Sequence, residues 1–308
     1  MSTLDSVLLI AFGGPESPDD IRPFLRNVAA GRPIPPERLE EVAHHYERIG
    51  GRSPLNALTR RQGEALAAAL AARPGAPSVW VGMRNWHPYL HETLAEMADR
   101  GRRRALGIIL SSLQTEASWS RYVADVAAAR EKVGPDAPEV VVAPPWSDHP
   151  RFVAAMAARA RAALEAIDPA GRGAARLVFT AHSVPVAMAA GSPYAAQLEA
   201  AARAIAGRLG RAEWALAYQS RSGSPREPWL EPDVADVVRA AAATGVRDLV
   251  VVPVGFVCDH VEVLYDLDVE ARAVADAAGV GFHRALAVND HPDFIAMLAD
   301  LVHRAEAA

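Results

Sequence analysis

The sequence predicts an α/β protein made of two doubly wound domains, each built on a parallel sheet. Short apolar, β-branched runs alternate with helical stretches along the whole chain, the order that crossover connections between parallel strands require. The most apolar run, residues 249–254 (LVVVPV), shows no polar alternation, as a strand buried on both faces should. The two halves also echo each other. Each supplies a strand ending in a Gly or His turn, a strand beginning near a Trp, and a very apolar strand opening into a polar loop.

In the first half, residues 7–12 (VLLIAF) form a strand stopped by Gly13-Gly14-Pro15. Ser17-Pro18-Asp19-Asp20 reads as an N-cap, a proline at the first helical position and two acids in the first turn. The glycine pair carries neither the G-x-G-x-x-G nor the P-loop pattern, so a nucleotide site has little support there. A loop over 31–36 leads to a helix over 37–49, which Gly50-Gly51-Arg52-Ser53-Pro54 ends. A second helix covers 56–72, and a strand covers 79–83. Arg84-Asn85-Trp86-His87-Pro88 then precedes a helix reaching Arg100. Strand 105–110 opens into a polar loop over 111–119 before the helix carrying Tyr122, and strand 140–142 completes the set.

The alternation restarts with a helix over 151–167. Strand 177–181 ends in His182-Ser183-Val184-Pro185, and strand 214–218 ends in Gln219-Ser220-Arg221-Ser222-Gly223. Strand 249–254 follows, then a last strand over 281–285 and a terminal helix over 292–306. The expected division is an N-terminal domain over 1–147, a C-terminal domain over 148–290, and a terminal helix in 291–308 packing back on the body. Ligand sites of such sheets lie outside the carboxyl ends of the strands, so a cleft between the two sets of strand ends is expected.

Composition bounds the function. The 308 residues are 51% apolar, enough for a large core, and the net charge of −5 gives no basic footprint for nucleic acid. The single cysteine, Cys258, excludes an internal disulfide framework and cannot supply the four thiolates of an iron–sulfur cluster. No apolar run approaches the ~20 residues of a membrane span. A soluble, cytoplasmic protein is expected.

The chemistry gathers after residue 254. Gly255 breaks the strand, and Asp259, Glu262, Asp266 and Glu270 then follow at steps of three, four and four, which would line them along one helical face. Like charges so stacked repel, and a cation would relieve them. A solvated helix face fits the same spacing, and the helix dipole alone favours Asp259 and Glu262 in a first turn. Cys258 and His260 stand beside the acids as further metal-ligand types. His182, at another strand end of the same sheet, is on its own most simply a hydrogen-bonded structural residue. With Glu262 it makes a histidine–carboxylate pair suited to a borderline divalent metal such as ferrous iron. Phe12, Arg84, Ser111, Gln219 and Ser220 fall at the other strand ends.

Seven ordered stretches carry a family resemblance. They are Phe12-Gly13-Gly14-Pro15-Glu16, residues 46–54 (YERIGGRSP), Arg84-Asn85-Trp86-His87-Pro88, Thr180-Ala181-His182-Ser183-Val184-Pro185, Gln219-Ser220-Arg221-Ser222-Gly223, Pro228-Trp229-Leu230-Glu231-Pro232, and residues 253–268. In them the chain resembles the ferrochelatases, which insert ferrous iron into a porphyrin in haem biosynthesis. The resemblance implies two flavodoxin-like domains with a porphyrin cleft between them. It implies His182 and Glu262 as the catalytic, metal-facing pair, and Phe12, Ser53 and Tyr122 as porphyrin-binding positions. Asp266 and Glu270 match outward acids that hold or relay a divalent ion such as Mg2+. Phe12 stands where some soluble bacterial members carry an iron-ligating tyrosine, and Asn85 replaces a histidine of an outer metal site in some members. Iron and porphyrin are then substrates, with no permanently bound cofactor and no iron–sulfur cluster.

The short form resembles the branch acting on coproporphyrin III, a tetracarboxylate, which is favoured over protoporphyrin IX. Arg26, Arg32, Arg52, Ser53, Tyr122, Arg221 and Ser222 are candidate partners for its propionates. A monomer is the expected state. Two rivals remain open: a cobalt or nickel tetrapyrrole chelatase of the same superfamily, and a non-catalytic haem or tetrapyrrole carrier.

Overall fold

The computed structural model describes residues 4–31, 34–223 and 226–307. The chain forms two compact units. One comprises Met1–Ser111, Ala117–Pro145 and Asp290–Ala308, and the other Ser112–Glu116 and Trp146–Asn289.

In the first unit, β1 (Ser6–Ala11), α1 (Ile21–Ala29), α2 (Pro36–Arg48), α3 (Leu55–Leu70), β2 (Ser78–Met83), α4 (Leu90–Asp99), β3 (Arg104–Ile109), α5 (Arg121–Val133) and β4 (Glu139–Val142) follow in turn. The four described strands are parallel, in the order β2-β1-β3-β4, with Ser6 opposite both Ser78 and Ala105. β1 is buried along its whole length, as expected of a central strand covered on both faces. Helical periodicity supplies one of the covers. Leu90, Leu94 and Met97 of α4 and Tyr122, Val126 and Ala129 of α5 recur at three- and four-residue steps and pack with Leu8 and Ile10. A fully buried leucine is worth about 1.5–3 kcal/mol here. The C-terminal helix Pro292–Ala307 lies against α3.

The second unit repeats the plan with α6 (Pro150–Glu165), β5 (Arg176–His182), α7 (Val186–Ala190), α8 (Tyr194–Arg208), β6 (Trp214–Gln219), α9 (Val234–Ala243), β7 (Asp248–Val252), α10 (Val261–Leu264), α11 (Arg272–Ala278) and β8 (Gly281–Arg284). Its described strands are again parallel, in the order β6-β5-β7-β8, the same permutation as in the first unit. The strand order reverses between β5 and β7, which is where such sheets place their ligands. Val178, Leu249 and Val251 of the sheet pack with Val234 and Val238 of α9 and with Val263, Leu267 and Ala271.

Three sequence expectations need correction. The stretch from Asp259 to Glu270 is not one helix. Asp259 precedes the first turn, His260 occupies the N-cap of α10, and Asp266–Ala271 is π-helical before α11 begins. Asp259 is drawn out of the acid row by side-chain partners described below. The expected loop over 111–119 is regular at its end, where Glu116–Ser120 forms a π-helical turn running into α5. Residues 112–116 also belong to the second unit. There the Ser112 hydroxyl donates to the Val254 carbonyl at 3.0 Å, and Gln114 and Gln197 exchange hydrogen bonds at 2.7 and 2.9 Å. His182 is the last residue of β5 rather than part of the following turn.

Candidate active site

The ends of β5, β6 and β7 converge in the second unit. His182 pairs in register with Gln219 at the ends of β5 and β6, and the Ser183 N–H donates to the Gln219 carbonyl at 2.7 Å. The Gln219 side-chain amide in turn donates to the backbone carbonyl of Glu262, tying α10 to β6. The chain leaving β7 approaches β5 because residue 255 is glycine. Its N–H donates to the Thr180 carbonyl at 3.0 Å, and a Cβ at this position would lie 2.5 Å from the Ala181 Cβ. No larger residue fits without backbone movement.

These constraints bring His182 and Glu262 together. His182 Nε2 lies 3.5 Å from Glu262 Oε1, and His260 Nε2 lies 3.3 Å from Oε2 of the same carboxylate. His182 Nδ1 faces the Ser183 carbonyl, which can only accept. Nδ1 therefore carries a hydrogen, and Nε2 is left for the carboxylate and for chemistry. The Tyr194 hydroxyl donates to the His182 carbonyl at 2.8 Å, and burial raises its pKa, so it stays a donor. The His182 and Glu262 side chains are 27% and 36% exposed, so the pair is open to an incoming ligand.

Burial alone would favour the neutral form of both groups, but their mutual attraction prevails. His182 is raised above its ordinary value by Glu262, with help from the Ser183 carbonyl and Asp266. Glu262, against its own burial, is held well below the ordinary carboxylate range by His182 and His260. The pairing thus favours the imidazolium of His182 and the carboxylate of Glu262 over their neutral forms.

Asp266 behaves in the opposite way. Burial, with Glu262 and Glu270 nearby, pushes it up to about 7 against a donated hydrogen bond from the Ser220 hydroxyl. Ser220 adopts a left-handed φ of 63°, uncommon for a residue with a side chain, just past the end of β6. Asp266, Glu270, Ser220 and Asp233 line a cavity of about 210 Å³ together with Gln219 and Val274. Asp233 caps α9 by accepting from the Ala235 N–H at 2.8 Å. Among the described residues, no group of three or more His, Cys, Asp and Glu side chains is arranged to hold a metal ion.

The porphyrin-binding candidates lie in the first unit. Phe12 follows β1, stacks edge-on against Phe24 at 6.3 Å, and has the Arg84 guanidinium 5.8 Å from its ring centroid. The same guanidinium sits 4.3 Å from the Tyr122 ring and pairs with Asp125, so Arg84 joins Phe12 to Tyr122. Tyr122 itself is only 5% exposed and belongs to the core. Ser53 is buried beside the turn after β1, where its N–H donates to the Pro15 carbonyl at 2.8 Å. Its Cβ would stand 2.8 Å from a Cβ on Gly14, so residue 14 has to be glycine for this approach. Arg26, Arg52, Arg221 and Ser222 are exposed, while Arg32 lies outside the described residues. The Arg221 guanidinium donates to the Glu227 carbonyl at 3.1 Å.

Sequence reasoning placed His260 beside the acids without giving it a partner, and it missed Asp233, Tyr194 and Arg284. The two-residue offset of His260 from Glu262 could have flagged the first, since a residue at an N-cap can turn back over the helix start. Asp233, Tyr194 and Arg284 are brought in by tertiary contacts that no local pattern encodes.

Comparison with known proteins agrees with this architecture. The family profile described as Ferrochelatase matches residues 5–306. The coproporphyrin III ferrochelatase of Mycobacterium avium is 49% identical over 301 residues, covering 97% of this chain and 87% of that protein. Among solved structures, SirB from Bacillus subtilis with Fe3+ aligns at a TM-score of 0.62 and 10% identity, covering 99% of this chain and 96% of that one. A multi-domain Deinococcus radiodurans protein described as structurally similar to chelatases aligns at 0.61 and 18% identity. This chain covers 55% of that protein's length, and at such identities both likenesses concern the fold. The profile match and the mycobacterial relative, each spanning nearly the whole chain, settle membership: this protein belongs to the ferrochelatase family.

Proposed function

We propose that the protein inserts ferrous iron into coproporphyrin III as a step of haem biosynthesis, with His182 and Glu262 as the catalytic, metal-facing pair. The observation that carries the assignment of residues is the convergence of these two side chains at the strand-order reversal of the second sheet. Nearly half-identical relatives named for coproporphyrin III support that substrate over protoporphyrin IX.

Insertion requires that iron shed water and that two pyrrole protons leave. In the metal-free site the pairing with Glu262 favours the protonated form of His182. An arriving dication satisfies the Glu262 carboxylate and weakens the imidazolium's hold on its Nε2 proton, which leaves by way of Asp266 and Glu270 to solvent. Nε2 then accepts the two pyrrole protons in turn, releasing the first along the same acids before taking the second. Asp266, poised at about 7, can take up and release each proton near neutral pH. Glu270, exposed at the end of the row, passes it to solvent.

Phe12, Ser53 and Tyr122 are proposed to contact the macrocycle, with Arg84 fixing the first and last relative to each other. Phe12 carries no oxygen to offer iron, and His182 and Glu262 are the proposed metal-facing donors. Asp266 and Glu270 are also proposed to hold a divalent ion such as Mg2+. Both donors are oxygens, and burial together with the nearby Glu262 and Glu270 disfavours the Asp266 charge, which a bound cation would offset. The remaining coordination positions would be left to water, as Mg2+ prefers. We propose no resident iron–sulfur cluster, since Cys258 is the chain's one thiol, and a monomer working in the cytoplasm. No helix of the described residues is long and apolar enough to cross a membrane.

The test is anaerobic. Purified protein, ferrous iron and either coproporphyrin III or protoporphyrin IX are mixed at matched solubility, and porphyrin absorbance is followed. A higher specificity constant for coproporphyrin III is expected, and a higher one for protoporphyrin IX would overturn the substrate assignment. Cobalt or nickel inserted in preference to iron would favour the related chelatase, and binding without insertion would favour a carrier.

A further inference from the structure

The segment that carries Glu262 has little helix of its own to hold it. α10 is four residues long and a π-helical stretch separates it from α11, so regular α-helical hydrogen bonds alone do not set the turn that carries the carboxylate. Gln219 anchors the Glu262 backbone from β6, and one side chain from β8 reaches the residues on either side of it. Arg284, 9% exposed, donates from Nε to Asp268 Oδ1 at 2.7 Å and from Nη2 to Asp268 Oδ2 at 2.8 Å. Its Nη1 donates to Asp259 Oδ1 at 2.9 Å and to the Ala285 carbonyl at 3.1 Å. Asp268 follows Glu262 and Asp266, and Asp259 precedes His260.

Asp259 is itself fixed on every side. Its Oδ1 also accepts from the Ala287 N–H at 3.2 Å, and its Oδ2 accepts from the Asn289 amide at 2.7 Å. Its own N–H donates back to Asn289 Oδ1 at 2.9 Å. A second arginine supports the far end, with Arg272 Nη1 donating to the Phe282 carbonyl at 2.9 Å and Nη2 lying 3.7 Å from Asp268.

We propose that Arg284 is a positioning residue for iron insertion: by bridging Asp259 and Asp268 it fixes His260, Glu262 and Asp266 in the places from which they act. The bidentate fork to Asp268 sets orientation as well as distance, which a lysine at this position cannot reproduce. The charge balance fits the role. The Arg284 charge is shared between Asp259 and Asp268, with Arg272 of α11 near the second, so both carboxylates have cationic partners of their own. The inference rests on Glu262 being metal-facing, and its test is arranged to fail separately from that reading.

Asp268→Asn removes the charged fork but leaves the Arg284–Asp259 pair and its backbone contacts, so the fold is expected to survive. Arg284→Lys keeps the charge and loses the fork. With ferrous iron and coproporphyrin III under anaerobic conditions, both variants should lose about 10- to 100-fold in kcat, the range typical of lost supporting contacts around a metal-facing group. KM for the porphyrin should stay within about twofold, since nothing in this network belongs to the first unit. Assays are run well below each variant's melting transition, with Glu262→Gln as the reference. A purely structural role would lower the melting temperature while leaving kcat of the folded enzyme unchanged, and that result in both variants overturns the proposal. Wild-type insertion by Glu262→Gln would instead remove the reading on which it rests.

Discussion

His182 Nε2 stands 3.5 Å from Glu262 Oε1 across the gap between the end of β5 and the first turn of α10. The imidazole is raised and the carboxyl lowered by this neighbour. The pair therefore stabilises the fold fully between about pH 4.5 and 6.5, above the unfolded carboxyl and below the unfolded imidazole. The contribution falls as pH rises through the elevated His182 value, and falls again as acid titrates Glu262. Glu262→Gln should lower the His182 pKa seen by NMR, and an unchanged titration would show that the two groups do not interact in solution.

Asp266 gives the opposite sign for its own charge. Its folded pKa of about 7 lies above its ordinary 3.8, so the wild-type protein loses stability as pH rises from about 4 through 7. Asp266→Asn keeps a partner for the Ser220 hydroxyl and carries no charge. Its melting temperature should exceed that of wild type at pH 8, with the difference closing at pH 4 to 5. Parallel melting curves for the two proteins across that range would contradict the assignment.

Gly255→Ala tests the close approach that sets the site. The added methyl would meet Ala181 Cβ at 2.5 Å and Cα at 2.8 Å, and both atoms belong to the residue before His182. A loss of about 1–3 kcal/mol in unfolding free energy is expected from such overpacking. Insertion should slow as well, because the backbone that must yield is the one that positions His182. Denaturant unfolding with an unchanged midpoint would mean that the approach is looser than described.

Much of this arrangement is legible in the sequence because strand burial is a local signal. The runs at 7–12 and 249–254 lack polar alternation, and both become buried strands of parallel sheets. His182 and Glu262 are legible as strand-end chemistry. The acid row is only partly so. A three- and four-residue spacing is indifferent to whether the chain is α- or π-helical, and it says nothing of Arg284, which pulls Asp259 away from the row through contacts 25 residues apart. The placement of residues 112–116 with the second unit is hidden for the same reason. It depends on Ser112 finding the Val254 carbonyl, 142 residues away.

The central claim is that His182 and Glu262 perform iron insertion, and the most direct measurement is anaerobic insertion by His182→Ala at saturating coproporphyrin III. Loss of the proton acceptor at Nε2 should slow insertion by at least about 100-fold, with porphyrin affinity, measured separately by fluorescence quenching, near that of wild type. Insertion at close to the wild-type rate would contradict the account.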